Sequence, residues 1–139
     1  IKEVEDLGVK VLVENTAGGK NSVARYMDSI ERLWEVIGHL NVGLCLDTCH
    51  TWAGGIPTIE AIKGFKKLVK KIDLIHFNDS KDGFESSRDR HENLGKGKIP
   101  KEELEYVIKN AKTDIIVETP NGADAQKKDI AWIRRRLNK

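Results

Sequence analysis

The stretch LCLDTCH, residues 44–50, begins as an apolar strand and ends in aspartate, cysteine and histidine. An ionised carboxylate beside an imidazole is costly to bury unless a partner charge or a metal compensates its lost hydration. The same ending recurs in three other apolar segments. Side chains alternate faces along a strand, so Leu12 and Glu14, Cys45 and Asp47, Leu74 and His76, and Ile116 and Glu118 each share a face. A lone acid at a strand end is ordinarily a helix cap or a loop hydrogen-bond acceptor. Three carboxylates and one imidazole delivered to one layer repel or compete for protons, and that calls for a cation. Mixed oxygen and nitrogen donors suit zinc, manganese or iron(II) better than calcium, which prefers oxygen alone.

Further ligand types lie beside that ring. His50 directly follows the second strand, and Asp89 and His91 sit in the polar loop DSKDGFESSRDRHENLGKGKIP, residues 79–100. Asp-x-His in an extended loop points both side chains the same way, so with His50 they can hold a separate metal with an open position for water. The alternative is a solvated polar loop. His39 precedes a strand with no carboxylate nearby and reads as a surface residue. Cys45 and Cys49 would stand about 13 Å apart on an extended segment, beyond the roughly 7 Å a disulfide spans, and read as reduced, packed thiols.

The elements that must carry these residues follow one plan repeated four times: apolar strand, loop, amphipathic helix, the pattern of βα units and a parallel sheet. Strands are expected over residues 9–15, 42–48, 72–79 and 113–119. The first helix is expected over about residues 22–37, with Val23, Tyr26, Met27, Ile30, Leu33, Trp34 and Ile37 on its buried face. The second follows Pro57, capped by Thr58, with Ile59, Ile62, Phe65, Leu68 and Val69 inward. The third enters through Pro100 and carries Leu104, Val107 and Ile108; the last, capped by Asp124, buries Ile130, Ile133 and Leu137. Ile1, Val4 and Leu7 form one helical face and Gly8 suits its stop, so the chain opens as the end of a helix. Four βα units where a closed barrel uses eight predict an α/β domain over residues 1–139 that is the C-terminal half of a TIM (β/α)8 barrel, its parallel strands backed by outer helices. An open four-stranded α/β sheet is the competing topology.

Composition bounds the rest. The 139 residues are 39% hydrophobic and 33% charged, enough for one domain with a core, and no apolar run approaches the roughly 20 residues of a membrane span. The expectation is a cytoplasmic protein without a membrane partner. A net charge of +2 is too small to name a polyanionic partner.

Read in order, VENTAG, LDTCH, HFNDS, DRH followed by LGKGKI, and IVETP resemble the signature segments of the endonuclease IV family of apurinic/apyrimidinic DNA endonucleases, through nearly the whole chain. The resemblance implies a (β/α)8 barrel with up to three metal ions, usually Zn2+, that incises double-stranded DNA on the 5′ side of abasic sites in base excision repair. It implies that Glu14 bridges two metals, that Asp47, His76 and Glu118 complete the second, and that His50, Asp89 and His91 bind the third. Glu14 and Glu118 are then the catalytic carboxylates, with Glu118 orienting or deprotonating the attacking water. Two histidines of the family's first metal have no match here. Arg90, Lys81 and Lys98 are candidate contacts to DNA phosphates, with ordinary surface charge as the alternative for each. Lys96 departs from the pattern by standing where an acidic residue is expected between two loop glycines. The Glu, Asp, His, Glu ring is shared with xylose-isomerase-like sugar isomerases and epimerases, which need one divalent metal; that activity, or a non-catalytic metal-binding half-barrel, is the alternative. A half-barrel by itself leaves strand edges unpaired, so pairing with a second copy or with a complementary N-terminal half, and weak activity alone, are expected.

Overall fold

The computed structural model describes residues 8–19 and 21–138. The expected helix end at Ile1, Val4 and Leu7 lies outside the described residues; Gly8 has a left-handed backbone (φ 66°). Four parallel strands, β1 (Val11–Glu14), β2 (Val42–Asp47), β3 (Leu74–His76) and β6 (Asp114–Ile116), form one sheet in the order β1-β2-β3-β6. A two-residue hairpin, β4 (Asp79–Ser80) with β5 (His91–Glu92), stands between the third and fourth of them. The helices are α1 (Met27–Ile37), α2 (Thr48–Gly54), α3 (Thr58–Leu68), α4 (Lys101–Ala111) and α5 (Gly122–Leu137).

The two faces of the sheet differ as the alternation requires. Leu44, Leu46, Ile75 and Phe77 are buried and pack with Ile30, Ile62, Phe65, Leu104, Val107 and Ile133 from the helices, forming the core. Side chains of the opposite parity form the inner face, which is covered less: Ile116 is 48% exposed. Helices on one face and a curved inner face ending in polar residues make a (βα)4 half-barrel. At the lower rim Gly43 is obligatory, because a Cβ there would lie 2.6 Å from Leu12 Cδ2 and overlap the Asp73 carboxylate. That carboxylate accepts the Leu44 N–H (3.1 Å) and pairs with Lys10 (2.6 Å).

Several expected boundaries move. Helix α1 starts at Met27 rather than near Ser22, and Val23 and Tyr26 are exposed. The reason is tertiary: the Thr16 N–H donates to the Ala24 carbonyl (2.9 Å) and Arg25 Nε donates to the Gly54 carbonyl (3.1 Å), so this segment lies as a loop across the strand ends. Thr58 is the first helical residue, not the cap. Pro57 occupies the cap position, and the Thr58 N–H is satisfied by Glu103 Oε2 of α4 at 2.6 Å. Asp124 sits in the first turn of α5, whose cap is Asn121 with φ 73°. Ile133 of α5 is buried, but Ile130 and Leu137 are exposed beside the open β6 flank, where they line a groove with Ile115 and Ile116. Among the described residues no helix is long and apolar enough to cross a membrane.

Candidate metal centre

The four strand-end side chains converge, though not on one rung. Asp47 and His76 are ladder partners, whereas Glu14 pairs with Cys45, two residues below Asp47, and Ile116 rather than Glu118 faces His76. Such a stagger is what the shear of a barrel produces. His76 Nδ1 lies 3.4 Å from Glu14 Oε1 and 3.2 Å from Glu118 Oε2, and the donors of Asp47, His76 and Glu118 fall within 4.8 Å of one another.

Beside this ring, His50, on the first turn of α2, and the β4–β5 loop build a second cluster. Asp89 Oδ1 is 3.1 Å from His50 Nε2 and 3.2 Å from His91 Nε2. Donors about 2.0–2.1 Å from one tetrahedral zinc stand about 3.3 Å apart, so these spacings, which are also those of His–Asp ion pairs, fit ligands around a shared ion. His91 Nε2 also lies 3.6 Å from Asp47 Oδ2, so Asp47 borders both clusters. Buried and without hydrogen-bond partners, His50 Nε2, His76 Nδ1 and His91 Nε2 all aim into this space. Buried polar atoms are ordinarily satisfied, and three orphaned imidazole nitrogens among carboxylates fit divalent metal ions.

The surroundings hold the imidazoles in the tautomer a metal needs. His50 Nδ1 donates to the Asn15 carbonyl (2.9 Å), so Nε2 is the nitrogen left to face a metal once it gives up its proton, and His91 Nδ1 is directed at the Glu118 carbonyl (3.4 Å). Asp47 has two tasks: Oδ1 caps α2 by accepting the His50 N–H (2.8 Å), while Oδ2 accepts from Asn78 Nδ2 (2.7 Å). A strand-end acid can be a helix cap or a ligand, and Asp47 is placed to be both. Asn15 clasps the Asp47 backbone through both amide atoms (2.8 and 3.1 Å). Asn78 accepts the Glu118 N–H (2.9 Å), and Thr48 Oγ1 bridges the Asn78 carbonyl and N–H (2.6 and 2.9 Å). Sequence reasoning missed Asn15, Thr48 and Asn78; the available signal was that Asn15 and Asn78 continue the strand segments just past the candidate ligands Glu14 and His76.

The acids and imidazoles of the cluster shift one another's protonation. Burial disfavours an imidazolium at His50, yet Glu14, Asp47, the Asn15 carbonyl and Asp89 together hold its pKa up, at about 10. Burial pushes the Asp47 carboxyl above its ordinary range. Burial also opposes ionisation of Glu14, but the hydrogen bond from His50 and the charge of His76 outweigh it and lower its pKa. Cys45 and Cys49 are buried and unpaired, and burial among these acids pushes both thiols up to about 12, so they pack as neutral groups. His39 is exposed, as expected.

Of the candidate phosphate contacts, Arg90 is committed to Asp82, with Nε 2.7 Å from Oδ2 and Nη2 paired with Oδ1. Arg90 lies between the candidate ligands Asp89 and His91, and this bidentate pair anchors its side chain. Lys81 and Lys98 are exposed on the same loop.

A family model described as xylose isomerase-like TIM barrel matches residues 1–136. The chain is 47% identical over 130 residues to the Probable endonuclease 4 of Mycobacterium ulcerans (strain Agy99), covering 94% of this chain and 51% of that protein. The crystal structure of endonuclease IV from Thermus thermophilus superposes with a TM-score of 0.77 at 30% identity, covering 99% of this chain and 54% of that one. A D-tagatose 3-epimerase-like protein shares the fold at 20% identity and a TM-score of 0.71, over 99% of this chain and 50% of its own. The chain thus spans about half the length of the relatives it matches.

Proposed function

Because the chain belongs to the xylose isomerase-like TIM barrel family, on its endonuclease IV branch, we propose that it is the C-terminal half of a metal-dependent DNA repair endonuclease that incises DNA 5′ to abasic sites. One observation carries this reading beyond the family: His50, Asp89 and His91 converge at 3.1 and 3.2 Å as a cluster additional to the strand-end ring. A one-metal isomerase or epimerase would use Glu14, Asp47, His76 and Glu118 and leave that cluster without a task.

The donor set of imidazoles and carboxylates favours Zn2+, with Mn2+ or Fe2+ as substitutes. When bound, clustered dications supply positive charge to phosphodiester oxygens and lower the pKa of water. The chain's own residues do the positioning. Glu14 Oε1, 3.2 Å from His50 Nδ1 and 3.4 Å from His76 Nδ1, links the two clusters. Glu118, whose backbone N–H is fixed by Asn78, presents Oε2 beside His76 at the rim, where it is free to take a proton from an attacking water. Lys81 and Lys98, exposed on the same loop, are the lysines proposed to meet DNA phosphates, and Arg90 contributes through its pair with Asp82.

Two histidines of the family's first metal have no counterpart in this chain, so the chain alone should incise weakly and gain activity with a complementary half-barrel or in a dimer. The test is an incision assay on a synthetic abasic duplex with zinc or manganese, run with and without the N-terminal half of a relative, beside metal content by mass spectrometry. Incision on combining the halves, lost in His91→Ala, supports the reading. Tight binding of a single ion that is indifferent to loss of Asp89 and His91 would transfer the assignment to the isomerase class.

A further inference from the structure

Asp79 is fully buried and is not one of the metal-facing carboxylates, yet it organises the loop that carries one cluster. Its Oδ1 accepts the N–H groups of Ser80 (2.8 Å) and Ile99 (3.1 Å), and its Oδ2 those of Gly95 and Gly97 (3.0 Å each). Four N–H donors fill the four lone-pair positions of a carboxylate. The loop of residues 93–99 is therefore wrapped round a single side chain. It is closed by the Lys98 N–H donating to the Ser80 carbonyl (2.7 Å), and Gly97 has no space for a Cβ, which would overlap Asp79 Oδ1 and the Ser80 carbonyl.

That side chain heads β4, whose register sets Asp79 opposite Glu92 and Ser80 opposite His91. The adjoining Lys81 N–H donates to the Arg90 carbonyl (3.0 Å), so the hairpin carries the wrapped loop's rigidity directly into the Asp89-Arg90-His91 segment. The strand-end ring is braced differently, by Asn15, Thr48 and Asn78. Resting on the reading that both clusters hold metal, we propose that Asp79 is the positioning residue of the His50/Asp89/His91 site: its carboxylate sets the affinity of that site and leaves the affinity of the ring unchanged.

The isosteric Asp79→Asn variant tests this, since its amide would turn an N–H donor toward two backbone N–H groups. Zinc is titrated into the metal-free 139-residue chain in competition with a chromophoric chelator. The class of site that His91→Ala abolishes is assigned to the loop cluster, and thermal unfolding of the metal-free forms reports the fold. Outer partners of metal ligands are commonly worth about 10–100-fold in metal affinity, so Asp79→Asn should weaken the loop class by about that factor while the ring class stays within about twofold. Equal losses in both classes, or an unchanged loop class, overturn the proposal. Should Asp79→Asn fail to fold, Gly97→Ala perturbs the same clamp from the loop side, and the same selective loss is required of it. A wild-type chain with no site sensitive to His91→Ala would instead refute the two-cluster reading itself, a different failure from an Asp79 variant that binds normally.

Discussion

Replacing Asn78 by alanine should be among the costliest polar substitutions in the chain. The side chain is fully buried; its Nδ2 donates to Asp47 Oδ2 at 2.7 Å and its Oδ1 accepts the Glu118 N–H at 2.9 Å. A hydrogen bond to an ionised group contributes about 1.5–3 kcal/mol and a neutral one about 1 kcal/mol. Their joint loss, leaving a buried Asp47 oxygen without its donor, should destabilise the metal-free chain by about 3 kcal/mol, or about 10 °C in Tm for a domain of this size. Because Asn78 aligns two of the proposed ring ligands, Asp47 and Glu118, zinc affinity of the ring should also fall, by about 10–100-fold. Urea denaturation at 25 °C and a zinc competition titration measure the two effects separately. Asn78→Asp adds a discriminating case: it keeps the acceptor for Glu118 but faces Asp47 with a second carboxylate, so it should be worse than alanine at neutral pH and recover partly on acidification. An alanine variant within about 0.5 kcal/mol of wild type would refute the claim that Asn78 braces the ring.

Because the pKa of His50 is held at about 10 by its carboxylate neighbours, the metal-free protein keeps it protonated at pH 7; metal uptake should release about one proton there, and affinity should fall by about tenfold per pH unit as pH is lowered. Calorimetry in buffers of different ionisation enthalpy counts that proton. Cys45 and Cys49, held near 12 against an ordinary value of 9.0, favour the neutral thiol in the folded state; stability is intact below pH 9 and should decline by about 1.4 kcal/mol per unit for each thiol as pH rises from 9 toward 12, visible as a falling Tm that Cys→Ala variants lack. Glu103→Ala removes the acceptor of the Thr58 N–H at the start of α3 and should cost about 1 kcal/mol in denaturant melts, with Glu103→Gln recovering most of it.

The convergence of the candidate ligands was legible in the sequence because strand periodicity is short and exact: Glu14, Asp47, His76 and Glu118 each lie two residues past an apolar side chain, and the structure brings them together. The Asp-x-His rule likewise anticipated how Asp89 and His91 flank one point. What escaped depended on partners remote in the chain. Asn15 is matched to the backbone of Asp47, 32 residues on, and Asp79 to a loop whose Gly95 lies 16 residues later. No local pattern separates such residues from ordinary loop polar groups. The caps failed for the same reason: Thr58 and Asp124 have the residue types of caps, but the free N–H of Thr58 is met by Glu103 from another helix. Val23 and Tyr26 satisfied the helical period, yet Arg25 is tied to Gly54 and holds that stretch as a loop. The stagger of the ring could not be read either, since register between strands is set by pairing rather than by any one strand.

The central claim is that two metal clusters share the mouth of this half-barrel. Anomalous diffraction at the zinc edge, on crystals grown with zinc, addresses it most directly. One peak is predicted within bonding distance, about 2.0–2.2 Å, of His50 Nε2, Asp89 and His91 Nε2, and a second among Asp47, His76 Nδ1 and Glu118. A single peak at the ring, or a peak bound by the sulfur of Cys45 or Cys49, would contradict the account.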